Sequence, residues 1–176
     1  MKSRVLLRKT CSIHASDLHF ATVIFPFVRK EVENNTTVRT ILERNVEENI
    51  EKIIKNIGLN SEIKEKVKEI DWKESNITKI RKSFKLLEND INEKKNIDII
   101  VLGRNIFIQK VNKAIDLWVK NNMDDIEKRC LEINVINCFS YEEKNQISDI
   151  LDGHDYILKT AGLEALTEKE ELLKAN

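Results

Sequence analysis

This sequence predicts an α/β fold, a three-layer arrangement of a mostly parallel sheet of about five strands with helices on both faces. Three observations predict it. Segments of strand character alternate along the chain with segments whose apolar residues recur at helical spacing. Ile97-Asp98-Ile99-Ile100-Val101-Leu102 is apolar almost throughout, as in strands buried on both faces of a parallel sheet. Between His14 and Asp17 the period changes from strand to helix within four residues, the signature of a tight strand-to-helix turn.

The first strand is expected from about Arg4 or Val5 to Ile13. Ser16 or Asp17 then caps a helix whose apolar positions are Phe20, Val23, Ile24, Phe27 and Val28. Pro26 would end or kink that helix, but the apolar stripe continues to Val32, which favours a kinked helix reaching Glu33. The β-branched alternation of Thr36 to Leu42 suits a second strand. Val46, Ile50, Ile53, Ile54 and Ile57 form the next helical face, closed by Gly58. Val67 to Asp71 is read as a short third strand. Ser75 or Asn76 caps a long helix carrying Ile77, Ile80, Phe84, Leu87 and Ile91.

The central fourth strand, Ile97 to Leu102, ends at Gly103, and a helix with Ile106, Ile108, Val111, Ile115, Leu117 and Trp118 follows. Asp124 to Arg129 reads as a helical turn and Leu131 to Phe139 as the fifth strand. Ser140 and Glu143 have capping-box spacing for a helix that carries Ile147, Ile150 and Leu151 and extends toward Ile157 and Leu158. Trp72, Trp118 and the phenylalanines of the first helix are expected in the core.

The 176 residues suit a single domain over 1–159, followed by a charged helix or tail over 160–176. Lys plus Arg and Asp plus Glu each number 30, so no charge excess recruits nucleic acid or an anionic membrane. The N-terminus returns to charge too early for a signal peptide, and the apolar runs are short, so a cytoplasmic chain is expected. Three cysteines, Cys11, Cys130 and Cys138, lack C-x-x-C spacing, which argues against a disulfide framework or thiolate zinc site. His14, His19 and His154 have no familiar ligand spacing either, so neither metal nor cofactor is expected.

The first strand-to-helix turn, His14-Ala15-Ser16-Asp17, has neither glycine nor lysine, and no Rossmann, nucleophile-elbow or HExxH motif occurs elsewhere. Nucleotide hydrolysis and the common hydrolase chemistries are disfavoured. In open α/β sheets ligands bind at the carboxyl ends of strands. The polar residues expected there are His14, Ser16 and Asp17, then Arg44 and Asn45, then Arg104 and Asn105, and finally Cys138, Ser140 and Tyr141. Ser16, Asp17 and Ser140 also serve as caps, and Arg44 as a solvated charge. Arg104, directly after a central strand and its glycine, is placed to hold an anion bidentately.

Two segments resemble the MEDS domain, a sensory domain of methanogens and methylotrophs. In Lys9 to Leu42, Cys11 and Pro26-Phe27 match the family's opening pattern, with Lys9 at the family's His and His14 at its Tyr. In Ile133 to Leu158, Cys138 and His154 match the closing pattern; Ser140 stands at a Tyr position, Tyr141 is one place late, and Asp155 replaces Pro. Asn96 to Arg104 is also similar to the family's penultimate strand, and the resemblance reaches about Lys159. It implies a RecA/KaiC-like core without ATPase motifs, with strand order 5-1-4-3-2 and the first strand between the fourth and fifth. It further implies a non-catalytic sensory domain.

The expected function is therefore binding of a small polar or anionic ligand at the carboxyl edge of the sheet. The occupancy would be signalled to a protein partner such as a regulator or histidine kinase, with a homodimer possible and no direct nucleic-acid or membrane contact. The alternatives are a protein-interaction adaptor without a ligand, or a small enzyme using Cys138 or His14.

Overall fold

The computed structural model describes residues 6–140 and 147–166. In chain order the elements are β1 (Leu7–His14), α1 (Asp17–Glu33), β2 (Thr37–Leu42), α2 (Glu47–Asn56), α3 (Ser61–Glu69), α4 (Ile77–Asn92), β3 (Ile97–Gly103), α5 (Asn105–Asn121), α6 (Met123–Lys128), β4 (Ile133–Ser140), α7 (Ile147–Leu151), β5 (Tyr156–Lys159) and β6 (Gly162–Ala165). Among the described residues the strands form one sheet in the order β2-β3-β4-β1-β5-β6. All pairings are parallel except β5 with β6. The predicted α/β class with a mostly parallel sheet is the observed one.

Strand alternation divides the core in two. Ile97, Ile99, Val101, Ile133 and Val135 face Leu87, Ile115, Ile126 and Ile150 of α4 to α7. Ile100, Leu102, Ile136 and Cys138 face Phe20, Ile24, Ile50 and Val67 of α1 to α3. Every residue of β3 is buried, as its unbroken apolar run requires. Pro26 lies inside α1 on its exposed side, and the helix continues to Glu33.

Three expectations are corrected. Val67 to Asp71 is no strand: Ile63 and Val67, one helical turn apart, are both buried on α3, the Asn60 side chain caps its start, and the Trp72 indole donates to the Val67 carbonyl at 3.1 Å. Ile157 and Leu158 belong to a strand, because Gly153 (φ 78) breaks the chain away from α7 and Asp155 grips β1. The Asp155 amide donates to the Lys9 carbonyl at 2.7 Å, and the Lys9 amide donates to Asp155 Oδ2 at 2.9 Å. The domain also runs past Lys159, since Gly162–Ala165 forms the outer strand and Leu166 is buried.

These shifts change the neighbours of β1. It lies between β4 and β5, whereas the expected neighbours were the Ile97 and Leu131 segments. Counted along the chain, the parallel strands do stand in the order 5-1-4-3-2, with β6 outside β5, but the numerals attach to different segments. The helix after β1 packs on one face of the sheet and the helix after β4 on the other. The carboxyl ends of β1 and β4 therefore open a topological switch point.

Candidate functional site

His14 and Ser140 are register partners at that switch point. Arg104 follows Gly103, which pairs with Phe139 one step before Ser140. His14, Ser140 and Arg104 thus stand at one level across β1, β4 and β3, with His14 and Arg104 about two strand spacings, roughly 10 Å, apart. Tyr141 lies outside the described residues.

The turn after β1 is tied locally. The Ser16 side chain accepts from the His19 amide at 3.1 Å and caps α1, and the Ala15 amide donates to His19 Nδ1 at 3.0 Å. His14 is 2% exposed, with its ring edge-on to His19 (5.6 Å) and Phe20 (5.2 Å). Among the described residues, neither of its ring nitrogens has a hydrogen-bond partner. Burial above all, then the charges of His19 and Arg44, lowers its pKa to about 3, so the imidazole is neutral.

The cations of this edge are matched. Arg44 Nε lies 2.6 Å from Asp17 Oδ1, tying the end of β2 to the first turn of α1. The Arg104 guanidinium donates twice to Glu43 Oε1, at 2.9 and 2.6 Å, and its amide donates to Glu43 Oε2 at 2.6 Å. Burial works against ionisation of Glu43, but these hydrogen bonds from Arg104 outweigh it and hold the carboxyl below its usual range. Gly103 makes this clasp possible, since a Cβ there would come within 2.7 Å of Glu43 Oε2 and 2.6 Å of the Phe107 ring. Asn45 Oδ1 accepts from the Glu47 amide at 3.0 Å at the start of α2, and Asn105 opens α5. Cys138 is fully buried under α1, and burial first, with the neighbouring Cys11, pushes its thiol up.

Sequence reasoning missed Glu43, His19 and a second polar cluster beneath α5. Asn137, 2% exposed, exchanges hydrogen bonds with Asn112 at 2.7 and 3.0 Å and lies 3.0 Å from His154 Nε2. A signal for it existed: Asn137 interrupts the apolar face Ile133, Val135, Phe139 of β4. Asn137 uses one amide hydrogen on Asn112, so the other goes to His154, whose Nε2 accepts. Among the described residues, no group of three or more His, Cys, Asp or Glu side chains could hold a metal ion. No helix among them is long and apolar enough to cross a membrane.

Comparison with protein-family models, with curated proteins and with solved structures gave no match to this chain.

Proposed function

We propose that this chain is a non-catalytic regulatory domain that reads a small polar molecule at the carboxyl ends of β1 and β4 and passes its occupancy to a protein partner, such as a transcriptional regulator or a histidine kinase. The observation that carries this is His14: a neutral imidazole, buried at the switch point, with both nitrogens unmatched among the described residues. A neutral ring offers one donor and one acceptor, and leaving a buried polar group unmatched costs about 1–3 kcal/mol. A molecule presenting a complementary acceptor and donor would recover that cost. The pairing of Arg44 with Asp17 and of Arg104 with Glu43 supports a polar ligand over a strongly anionic one. The raised pKa of the buried Cys138 thiol disfavours a thiolate nucleophile. The MEDS-like residues Cys11, Pro26, Phe27, Cys138 and His154 support the same reading.

Native mass spectrometry of the protein purified from its own host tests this. A retained small molecule that the His14→Leu variant loses is expected. A protein that carries nothing, or a molecule retained equally by His14→Leu, contradicts the reading.

A further inference from the structure

Equal totals of basic and acidic residues conceal their segregation between the two faces of the sheet. On one face, α4 and α5 carry seven cations against three carboxylates; on the other, α1 to α3 carry seven against nine. Two of the three carboxylates are engaged by strand residues, Asp90 by Arg39 at 2.7 Å and Asp116 by Lys9 at 2.8 Å, which leaves Glu88. Of the seven cations, Lys79 reaches Asp71 at 3.3 Å. The other six, Arg81, Lys82, Lys85, Lys110, Lys113 and Lys120, are exposed and have no ion pair among the described residues.

In α5, Ile106, Lys110, Lys113, Leu117 and Lys120 recur at the same spacing as the buried Ile108, Val111, Ile115 and Trp118 and lie on the opposite side of the helix. Ile106 and Leu117 are each 59% exposed. In α4, Lys82 and Lys85 stand opposite the buried Leu87 and Ile91, with Arg81 beside them. Because α4 leads into β3 and α5 leaves it, both helices start at the carboxyl edge and run the same way. They pack through Phe84 and Trp118, ring centroids 6.5 Å apart, which sets their crests side by side at about 10 Å. Ile77, 71% exposed, opens α4 at the end where Ile106 opens α5. Carboxylates return only past the last turn of α5, with Asp124, Asp125 and Glu127 on α6.

We infer that the face formed by α4 and α5 seats the protein on an anionic lipid surface, its lysines among the headgroups and Ile77, Ile106 and Leu117 in the interface. A cluster of roughly four to eight cations on one helical surface is what anionic headgroups attract, and inserted aliphatic side chains supply the second attachment that anchoring needs. The aliphatics decide between lipid and other polyanions. Ile106 and Leu117 stand about 16 Å apart with lysines between them, so they make no contiguous patch for a protein hot spot, whereas a fluid interface accepts each separately. No aromatic side chain of α4 or α5 is exposed for base stacking, and on a duplex the aliphatic crests would stand against phosphates. The excess carboxylates of α1 to α3, beyond the sheet, turn away from a negative surface and fix the orientation. A peripheral seat of this kind needs no membrane-crossing helix, and it replaces the expectation, drawn from net charge alone, of no membrane contact. It does not depend on the His14 site.

The test is sedimentation of the full chain with vesicles of phosphatidylcholine alone and of equal parts phosphatidylcholine and phosphatidylserine. Binding to the anionic vesicles, weakened by added salt, and none to the neutral ones is expected. Lys110→Glu with Lys113→Glu should weaken it by at least about tenfold, and Ile106→Ser with Leu117→Ser by about tenfold. Lys52→Glu with Lys55→Glu, the same charge change on exposed positions of α2, should leave it unchanged at physiological salt. Circular dichroism checks that each double variant keeps the fold. No binding to the anionic vesicles overturns the inference, as does equal binding to the neutral ones, an equal loss in the α2 variant, or undiminished binding by the Ile106 and Leu117 variant. Tighter binding of a duplex oligonucleotide through the same lysines would place nucleic acid on this face and overturns it too.

Discussion

The Arg104 guanidinium and Glu43 carboxylate clasp each other across the ends of β2 and β3, with Nη2 2.6 Å from Oε1 and the Arg104 amide 2.6 Å from Oε2. An arginine that the sequence offers as an anion holder is thereby committed to a neighbour on the adjacent strand. Because the Arg104 side chain is 73% exposed, the pair falls among those worth about 0–1 kcal/mol.

Arg104→Ala should therefore lower stability by no more than about 1 kcal/mol and leave ligand retention nearly unchanged. Urea unfolding of the single variants and of Arg104→Ala with Glu43→Gln measures the coupling. A loss of retained ligand with Arg104→Ala alone would restore the direct anion contact.

Asp98, 4% exposed on β3, responds oppositely to His14. Burial, then the charge and hydrogen bond of Glu31, pushes its carboxyl up to about 8. A raised carboxyl pKa means that the unfolded chain loses its proton first, so stability falls as pH rises between about 4 and 8. The lowered pKa values of His14 and His154 mean that the unfolded chain gains protons first, so stability falls as pH drops below 6.5, toward about 3 for His14. His14 and Asp98, one proton each, offset one another from about pH 4 to 6.5, where His154 adds a rise of stability with pH, and above 6.5 Asp98 dominates. Asp98→Asn should remove a decline on the order of 1–2 kcal/mol between pH 6.5 and 8. Chemical unfolding at both pH values reads this directly; an unchanged slope in the variant would show that Asp98 is ionised in the folded protein.

Asn137→Leu would leave Asn112 Oδ1 and His154 Nε2 unmatched, while Asn112 Nδ2 keeps the Ile108 carbonyl, and should cost about 2–4 kcal/mol. It should also free the His154 ring from its fixed acceptor role, which the imidazole nitrogen shifts report. A neutral effect on both would mean that the cluster is hydrated and makes no net contribution.

Much of this fold is legible along the chain because the signal is local. The Ile97 run, the Ser16 cap and the Asn76 cap, which accepts from Lys79 N at 2.8 Å, are written in consecutive residues. Where the structure departs, a distant contact decides. Val67 to Asp71 reads as a strand on its own, yet Val67 belongs to a helix that ends at Glu69 and is sealed by a Trp72 indole and a buried face against α1. Tyr156 to Lys159 is too short to declare itself and is held as a strand by Asp155 on Lys9, far away in sequence. The edge residues His14, Ser140 and Arg104 could be placed from sequence because strand ends are local. Their partners could not, since the Glu43 clasp depends on which strands are neighbours.

Val101→Asp places a carboxylate where the side chain is fully buried between β3 and the helices of one face, and should cost several kcal/mol, enough to abolish cooperative unfolding. Circular dichroism and thermal melting check it. A soluble variant with an unchanged Tm would contradict the two-faced core.

The most direct test of the ligand site is the pair of imidazole 15N resonances of His14, followed with pH and with the small-molecule fraction of a host extract. The account predicts a ring that stays neutral to about pH 4, and whose two nitrogens shift when the ligand is added while those of His154 hold still. A His14 that titrates near 6.5, or that ignores every fraction of the extract, would contradict it.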